Sequence, residues 1–386
     1  MTALSAIRGA RIFDGTRWHE DKALVFTGGR ITGVTAPESV PAGTDMIEAD
    51  GLLAVPGFID LQVNGGGGVL LNDSPGLDGI RTICEAHARF GTTALLPTLI
   101  TDTREITAAT IDAGREARRA EVPGFLGLHL EGPHLSIARK GAHDPALIRP
   151  MEEADLERMT ACAGVFEAMM VTVAAESVTP AQVSALAGAG ITVSLGHSDT
   201  GYATVRELAG AGARTITHLF NAMSPLGHRE PGMVGAALDI GSLHAGLIAD
   251  GFHVDPVSMG VALRAKNGPG RIFIVTDAMS TIGTDLETFT LNGRDIYRKD
   301  GRLTLADGTL AGADIDMLSS VLFVHRQLGL PLEEALRMAS LYPAEAVRVD
   351  KHKGSLKPGQ DADFVLLTQD LAMHSTWIGG TQVFTA

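Results

Sequence analysis

The chain has 386 residues, of which 45% are hydrophobic and 20% charged, a composition typical of a globular protein with a full-sized core. The formal net charge of −14 disfavours nucleic acid and anionic membranes as partners, since both repel an acidic surface. The two cysteines form no CxxC pair, no secretory leader opens the sequence, and no apolar run is long enough to cross a membrane. These features predict a cytoplasmic protein.

Both ends of the chain are rich in short predicted strands. Turns such as Asp14-Gly15 separate the strands of the first fifty residues, and the last thirty contain an alternating strand over Asp363–Leu367 and another over Gln382–Phe384. Because chain ends often lie close together, we expect residues 1–53 and 354–386 to form one small β-sandwich domain. The strands predicted in the first segment are Ala10–Phe13, Lys22–Phe26, Arg30–Val34 and Thr44–Glu48.

Apolar runs alternate with amphipathic stretches between residues 54 and 353. Continuous apolar runs of this kind are typical of buried parallel strands. An open doubly wound sheet would favour a nucleotide fingerprint, and neither GxGxxG nor GxxxxGK[ST] occurs. The pattern therefore predicts an α/β protein with a (β/α)8 TIM-like barrel, plus a hairpin insert over Asn292–Thr309. The eight predicted barrel strands are Ala54–Gln62, Thr92–Leu99, Phe125–Glu131, Ala168–Ala174, Thr192–Gly196, Arg214–Phe220, Leu243–Asp250 and Arg271–Asp277.

Polar side chains lie at the ends of several predicted barrel strands. Glu131 ends the third, His197 follows the fifth, His218 lies in the sixth, and Asp277 ends the eighth. One histidine at a strand end is usually structural, but four such groups at the carboxyl face of one barrel favour a functional site. Two imidazoles and a carboxylate can hold a divalent metal with one position open for water or substrate. Asp277 beside that position is the predicted acid/base.

Long motifs then carry a resemblance to a known family. Pro56–Gly65 resembles the first barrel strand of the amidohydrolase superfamily, which typically ends in Asp-x-His-x-His, and Gly354–Val365 is similar to that superfamily's return into the sandwich. Within the superfamily, the chain resembles the N-acetylglucosamine-6-phosphate deacetylases. The motifs that carry this likeness are Asn64–Gly68, Leu128–Pro133, Lys140–His143, Gly196–Ser198, His218–Met223, Arg229–Gly232, Asp250–His253 and Thr276–Met279.

The resemblance implies a function and a set of roles. It implies deacetylation of N-acetylglucosamine 6-phosphate, with the N-acetylgalactosamine 6-phosphate reaction as an alternative. One divalent metal, expected to be zinc, would be held by Glu131, His197 and His218, and Asp277 would transfer protons. Arg229 would contact the phosphate bound in the neighbouring subunit, which implies a homodimer. The residues expected to contact substrate are His143, Asn221, Ala222, Arg229, His253 and Gly312.

The first strand departs from the superfamily pattern. Gln62 and Asn64 replace its two histidines, and neutral amides are poor ligands for a second transition metal. We therefore expect a single metal. A cyclic-amide amidohydrolase is a further alternative, but those enzymes usually have the histidine pair and a lysine after strand four. This chain has Glu176 near that point, which counts against such an enzyme.

Overall fold

The N-terminal segment forms seven short strands. The computed structural model describes residues 4–386, so the first three residues of the predicted sandwich lie outside the described part. The strands β5, β4, β1 and β6 form one sheet in that order, while β2, β3 and β7 belong to a second sheet. Their bounds are β1 Leu4–Arg8, β2 Arg11–Phe13, β3 Trp18–His19, β4 Ala23–Thr27, β5 Arg30–Thr35, β6 Asp45–Glu48 and β7 Leu53–Pro56.

Eight parallel strands follow in sequential order and form the barrel, which confirms the predicted fold class. The first and last of them meet where the Asp277 amide donates to the Gln62 carbonyl at 2.9 Å. A two-stranded hairpin, β9 Gly65–Gly66 and β10 Val69–Leu70, follows the first barrel strand. The barrel strands are β8 Phe58–Val63, β11 Thr92–Ile100, β12 Gly127–Glu131, β13 Ala168–Val173, β14 Thr192–Leu195, β15 Thr215–Ile216, β16 His244–Ile248 and β17 Ile272–Val275.

Helices surround the barrel, and their starts follow from local sequence. Thr179 caps the fourth helix by accepting the amide of Gln182, and Pro180 occupies its first turn. No helix within residues 4–386 is both long and apolar enough to span a bilayer. The helices are α1 Leu77–Ala88, α2 Arg104–Arg119, α3 Glu153–Thr160, α4 Pro180–Gly188, α5 Tyr202–Ala211, α6 Gly232–Asp239, α7 Pro256–Ala265, α8 Met317–Arg326, α9 Leu332–Ala339 and α10 Leu341–Ala346.

The insert after β17 is a four-stranded antiparallel sheet, larger than the predicted hairpin. Its own small core contains Ile296, Leu303 and Ala311, and it packs against Met279 after the last barrel strand. The sheet therefore covers part of the carboxyl face of the barrel. Its strands are β18 Thr288–Leu291, β19 Arg294–Lys299, β20 Arg302–Thr304 and β21 Leu310–Ala313.

The C-terminal strands complete the second sheet of the sandwich. β22 Phe364–Leu367 pairs with β7, then β23 Met373–Ile378 and β24 Thr381–Thr385 extend the sheet to its edge. Phe26 of the first sheet packs against Phe364 of the second, with ring centroids 5.5 Å apart. Residues from both chain ends thus pack together in one core between the two sheets. The domain boundaries at 53/54 and 353/354 stay a prediction.

Two predicted strands differ from the structure. The predicted strand Ala54–Gln62 is broken at Gly57, because β7 pairs with β2 and β22 of the sandwich whereas β8 pairs with β11 of the barrel. The predicted strand Arg214–Phe220 is reduced to Thr215–Ile216. There the backbone turns at His218, with φ +23°, and again at Phe220, with φ +78°. Three strands of the sandwich, β1, β3 and β23, were not predicted.

Candidate active site

A cavity of about 170 Å³ opens at the carboxyl face of the barrel and brings together nine of the ten predicted site residues. Arg229 is the exception: it is exposed and does not line the cavity. The insert contributes Leu291, Leu310 and Gly312 to the wall. The predicted residues that line it are Glu131, His143, His197, His218, Asn221, Ala222, His253, Asp277 and Gly312.

The strand ends aim the polar side chains into this cavity. Glu131 is the last residue of β12, and His197, His218 and Asp277 each lie two residues beyond β14, β15 and β17. These three have φ values of +47°, +23° and +53°, a region that non-glycine residues rarely adopt. Such conformations persist only where the surrounding structure holds them, and they cluster at functional sites.

Glu131, His197 and His218 direct three donor atoms at one point. Glu131 Oε1 lies 3.3 Å from His197 Nε2 and 3.2 Å from His218 Nε2, and the two nitrogens are 3.0 Å apart. Ligands at zinc distances of about 2.0–2.1 Å in a tetrahedron are separated by roughly 3.3–3.4 Å. The three residues therefore fit a divalent ion. A ring nitrogen of His143 also lies within 4.8 Å of donor atoms of Glu131 and His197, so His143 borders the same point.

Burial and close charges set the protonation of these groups. Burial opposes ionisation of Glu131, but hydrogen bonds from His197 and His218 outweigh it and hold its pKa well below the ordinary value. Burial lowers the pKa of His218, yet its hydrogen bond to Glu131 and the charge of Glu131 raise it overall. Asp277 behaves oppositely, since burial and the charge of Glu131 both raise its pKa. Glu131 therefore ionises more readily than an ordinary carboxyl group, and Asp277 ionises less readily.

The two first-strand amides lie between the carboxylates. Gln62 Nε2 donates to Glu131 Oε1 and to Asp277 Oδ1, both at 3.1 Å. Asn64 Nδ2 donates to the same Asp277 oxygen at 2.7 Å. Gln62 and Asn64 occupy the two sequence positions where the superfamily typically has histidines, and their N–H groups point at the carboxylates. A donor N–H cannot serve as a metal ligand, so this geometry agrees with a single ion.

Two further histidines have defined hydrogen-bond partners. His143 Nδ1 lies 2.8 Å from Thr101 Oγ1 and 3.4 Å from the backbone nitrogen of Thr101, and burial followed by the charge of His197 lowers the pKa of His143 to about 3. His143 is therefore a neutral imidazole near pH 7, and Thr101 holds its Nδ1 side. His253 Nδ1 lies 2.6 Å from Asp250 Oδ2, which orients its ring in the cavity wall.

Sequence reasoning missed Asp60, which is fully buried beneath the pocket. Its carboxylate accepts from Thr276 Oγ1 at 2.5 Å and from the backbone amides of Thr276 and Gln62, both at 3.2 Å. A charged residue inside the apolar run of β8 was the available signal. His129 is also buried, with Nε2 2.7 Å from Thr172 Oγ1, and it does not line the cavity.

Comparisons with known proteins place the chain in a family. The Amidohydrolase family matches residues 53–383. The chain is 43% identical to the N-acetylgalactosamine-6-phosphate deacetylase of Shewanella sp. strain ANA-3, covering 86% of this chain and 83% of the relative. It is 36% identical to the N-acetylglucosamine-6-phosphate deacetylase of Haemophilus influenzae, covering 93% and 94%.

Solved structures agree with these sequence relatives. The N-acetylglucosamine-6-phosphate deacetylase of Pasteurella multocida matches with a TM-score of 0.95 and 35% identity over 99% of this chain and all of that one. A mutant of the Mycobacterium smegmatis deacetylase, in complex with N-acetyl-D-glucosamine-6-phosphate, matches with a TM-score of 0.91 and 30% identity, covering 99% and 100%. The chain therefore belongs to the amidohydrolase family and, within it, to the group that comprises the N-acetylglucosamine-6-phosphate and N-acetylgalactosamine-6-phosphate deacetylases.

Proposed function

We propose that this chain hydrolyses N-acetylglucosamine 6-phosphate to glucosamine 6-phosphate and acetate. The observation that carries the proposal is the convergence of Glu131, His197 and His218 on one point beside Asp277. The relatives that match nearly the whole chain support the same reaction by their names.

We propose that Glu131, His197 and His218 hold one divalent ion per subunit and that this ion is zinc. Two imidazoles and a carboxylate are a common ligand set of catalytic zinc, and the spacing of their donor atoms agrees with it. Such an ion, when bound, polarises the amide carbonyl and lowers the pKa of water. The amide donors of Gln62 and Asn64 support one ion rather than two.

Asp277 is the proposed acid/base in the hydrolysis. Its carboxylate accepts a proton from the attacking water, and the raised pKa favours holding that proton until it passes to the leaving nitrogen. His143 is the proposed donor to the acetamide oxygen through Nε2, because its ring is neutral, lines the cavity and is held at Nδ1 by Thr101. A hydrogen-bond donor placed there stabilises the charge that develops on the oxygen.

The remaining predicted residues are assigned to the sugar and the phosphate. His253 and Gly312 line the cavity beside the proposed sugar position, and Asn221 and Ala222 line it beside the proposed phosphate position. Arg229 lies outside the cavity of its own chain, is exposed, and makes no ion pair with any residue in the range 4–386. These features support its proposed role as a phosphate contact across a homodimer interface, where a planar guanidinium suits phosphate oxygens.

The galactosamine epimer is a second candidate substrate. The relative with 43% identity is an N-acetylgalactosamine-6-phosphate deacetylase, whereas the N-acetylglucosamine-6-phosphate deacetylase from Haemophilus influenzae has 36%.

We also propose the cytoplasm as the location and residues 1–53 with 354–386 as the sandwich domain. The two buried free cysteines support the first, and the sheet shared by β7 and β22 supports the second.

The test is acetate release from a panel of substrates by the purified protein before and after chelation. We expect turnover of N-acetylglucosamine 6-phosphate, much slower turnover of N-acetylglucosamine, and loss of activity that added zinc restores. Faster acetate release from N-acetylgalactosamine 6-phosphate than from N-acetylglucosamine 6-phosphate would make the galactosamine epimer the preferred substrate. Hydrolysis of a cyclic amide without any acetate release, or full activity after complete metal removal, would overturn the proposal.

A further inference from the structure

A second cavity lies at the opposite end of the barrel, where the barrel meets the sandwich. Its volume is about 750 Å³. Gly15 and Thr16 of the sandwich line one side, and residues at the amino ends of β15, β16 and β17 line another. We propose that this cavity is a binding site for a small phosphate-bearing molecule, held by Arg214, His244 and Arg271.

Two guanidinium groups in this cavity have no carboxylate in contact. Arg214 donates to the carbonyl oxygens of Glu345 and Ala346, both at 2.9 Å. Arg271 is exposed, and its guanidinium lies over the Tyr342 ring, 5.3 Å from the centroid. Neither arginine forms an ion pair within residues 4–386, although other arginines of the chain do. Their charges are therefore available to an anion.

Two acidic side chains, Glu345 and Asp350, line the same cavity. Burial and the charge of Asp350 raise the pKa of Glu345, so it ionises less readily than an ordinary glutamate. Arg337 also lines the cavity, but it pairs with Glu334 at 2.7 Å. Within residues 4–386, neither Glu345 nor Asp350 forms an ion pair with Arg214 or Arg271, so both guanidinium groups can pair with a bound anion.

A buried histidine adds a neutral donor. His244 is 5% exposed, and its Nδ1 accepts the backbone N–H of Arg271 at 3.3 Å, which places the ring hydrogen on Nε2. Burial, followed by the charges of Arg214 and Lys266, lowers the pKa of His244 to about 4. The ring is therefore neutral near pH 7, and no hydrogen bond from Nε2 is formed within residues 4–386. This N–H is free to donate to a ligand in the cavity.

These donors suit a phosphate group more than a planar carboxylate. Two guanidinium groups and an imidazole N–H can reach several oxygens of a tetrahedral anion, and Thr16 and Ser242 also line the cavity. The volume falls within the range of about 300–1,000 Å³ that is typical of small-molecule sites, which often lie between domains. A phosphorylated sugar and inorganic phosphate share the required chemistry, so the experiment must separate them.

The test is calorimetric titration of the metal-loaded full chain with inorganic phosphate, with glucose 6-phosphate and with acetate. Arg271→Gln is the test variant, and Arg264→Gln, an exposed arginine outside both cavities, is the matched control. Charge-assisted hydrogen bonds contribute about 1.5–3 kcal/mol, so we expect Arg271→Gln to weaken one phosphate site by roughly 10–100-fold. The control should bind as the wild type does, and deacetylase activity should be unchanged in both.

A second variant and a second readout keep the result decisive. Thr16→Val, on the sandwich wall of the cavity, should weaken the same site more mildly, and soaked tungstate should appear beside Arg214 and Arg271 in crystals. Tighter binding of glucose 6-phosphate than of phosphate would identify a sugar phosphate as the ligand class, and the reverse order would identify the free ion. Equal phosphate binding by wild type, Arg271→Gln and Thr16→Val would overturn the proposal, as would acetate binding as tight as phosphate.

Discussion

The active-site cavity and the junction between barrel and sandwich hold buried charge in opposite ways. At the junction, Lys353 Nζ lies 2.7 Å from Asp361 Oδ2 and 2.8 Å from Asp363 Oδ2, so unlike charges are in contact. In the cavity, two carboxyl groups share one amide donor, and burial together with the charge of Glu131 raises the pKa of Asp277. The ion pairs of Lys353 balance their charges without a ligand, whereas the two carboxyl groups of the cavity would be stabilised by a bound cation.

The backbone shows the same contrast. The turn between β4 and β5 uses Gly28 and Gly29, with φ values of +54° and +77° that glycine adopts at little cost. The cavity instead places non-glycine residues in this region, at a cost of about 1–3 kcal/mol each. The cavity residues concerned are His197, His218, Ala222 and Asp277, and three of these four carry side chains proposed to take part in the chemistry.

The largest predicted effect concerns the proton-transfer group. Asp277→Asn should reduce turnover by about 100–10,000-fold, because general acid–base catalysis contributes terms of that size. Metal content should stay near that of the wild type, since Asp277 lies outside the proposed ligand set. Acetate-release kinetics and metal analysis measure the two quantities. Asp295→Asn, an exposed position on the insert, is the control, and activity of Asp277→Asn within about tenfold of wild type would remove Asp277 from this role.

Substitution of Lys353 at the junction should lower the free energy of unfolding rather than the catalytic rate. Lys353→Met leaves Asp361 and Asp363 without their shared cation, and breaking a buried ion pair costs about 3–5 kcal/mol. Denaturant unfolding should report this loss, while kcat of the folded fraction stays near that of wild type. The exposed Lys357→Met is the matched control. A loss of unfolding free energy below about 1 kcal/mol, which is typical of an exposed ion pair, would mean that the Lys353 ion pairs contribute no more than surface pairs do.

Much of the barrel and of the site could be predicted because local pattern determines both. An apolar run predicted a strand over Thr92–Leu99, which the structure has over Thr92–Ile100, and polar residues at strand ends indicated Glu131 and Asp277. The sixth strand was overpredicted because its apolar run continues through two left-handed turns that no local pattern reveals. Likewise, the break at Gly57 lies where the chain passes from the sheet of β7 and β22 to the sheet of β8 and β11, and these pairings form only in the folded protein.

Long-range partners account for the rest of what was missed. Asp60 and Thr276 are 216 residues apart in sequence, and only closure of the barrel between β8 and β17 brings them together. The wall residues Leu291 and Leu310 lie on a sheet whose four-stranded pairing was not visible in the sequence. Contacts of this kind depend on register and topology rather than on periodicity.

Asp60 provides a pH test of this long-range closure. Burial raises its pKa to about 7 from the ordinary 3.8, despite the hydrogen bond from Thr276. The stability it contributes is therefore fully present below about pH 4 and is lost as the pH rises to about 7. Relative to Asp60→Asn, which does not titrate, the wild type should lose up to about 1.4 kcal/mol per pH unit in this window. Urea unfolding between about pH 4 and 8 measures the difference, and parallel pH profiles of the two proteins would show that Asp60 does not titrate there.

The smallest expected effect separates backbone strain from steric fit in the insert. Gly312 has φ +67°, and a Cβ there would lie 2.4 Å from Met279 Cγ, in the wall of the active-site cavity. Gly308 has φ +86°, but a Cβ there would meet nothing within 4 Å. Both Gly→Ala variants should lose about 1–3 kcal/mol of local stability from strain. Only Gly312→Ala displaces Met279 into the substrate space, so KM should rise roughly tenfold in that variant alone, where about 1.4 kcal/mol corresponds to tenfold. Steady-state kinetics of the pair measures this, and an equal rise in KM for Gly308→Ala would mean that flexibility of the insert, rather than the Met279 contact, controls substrate binding.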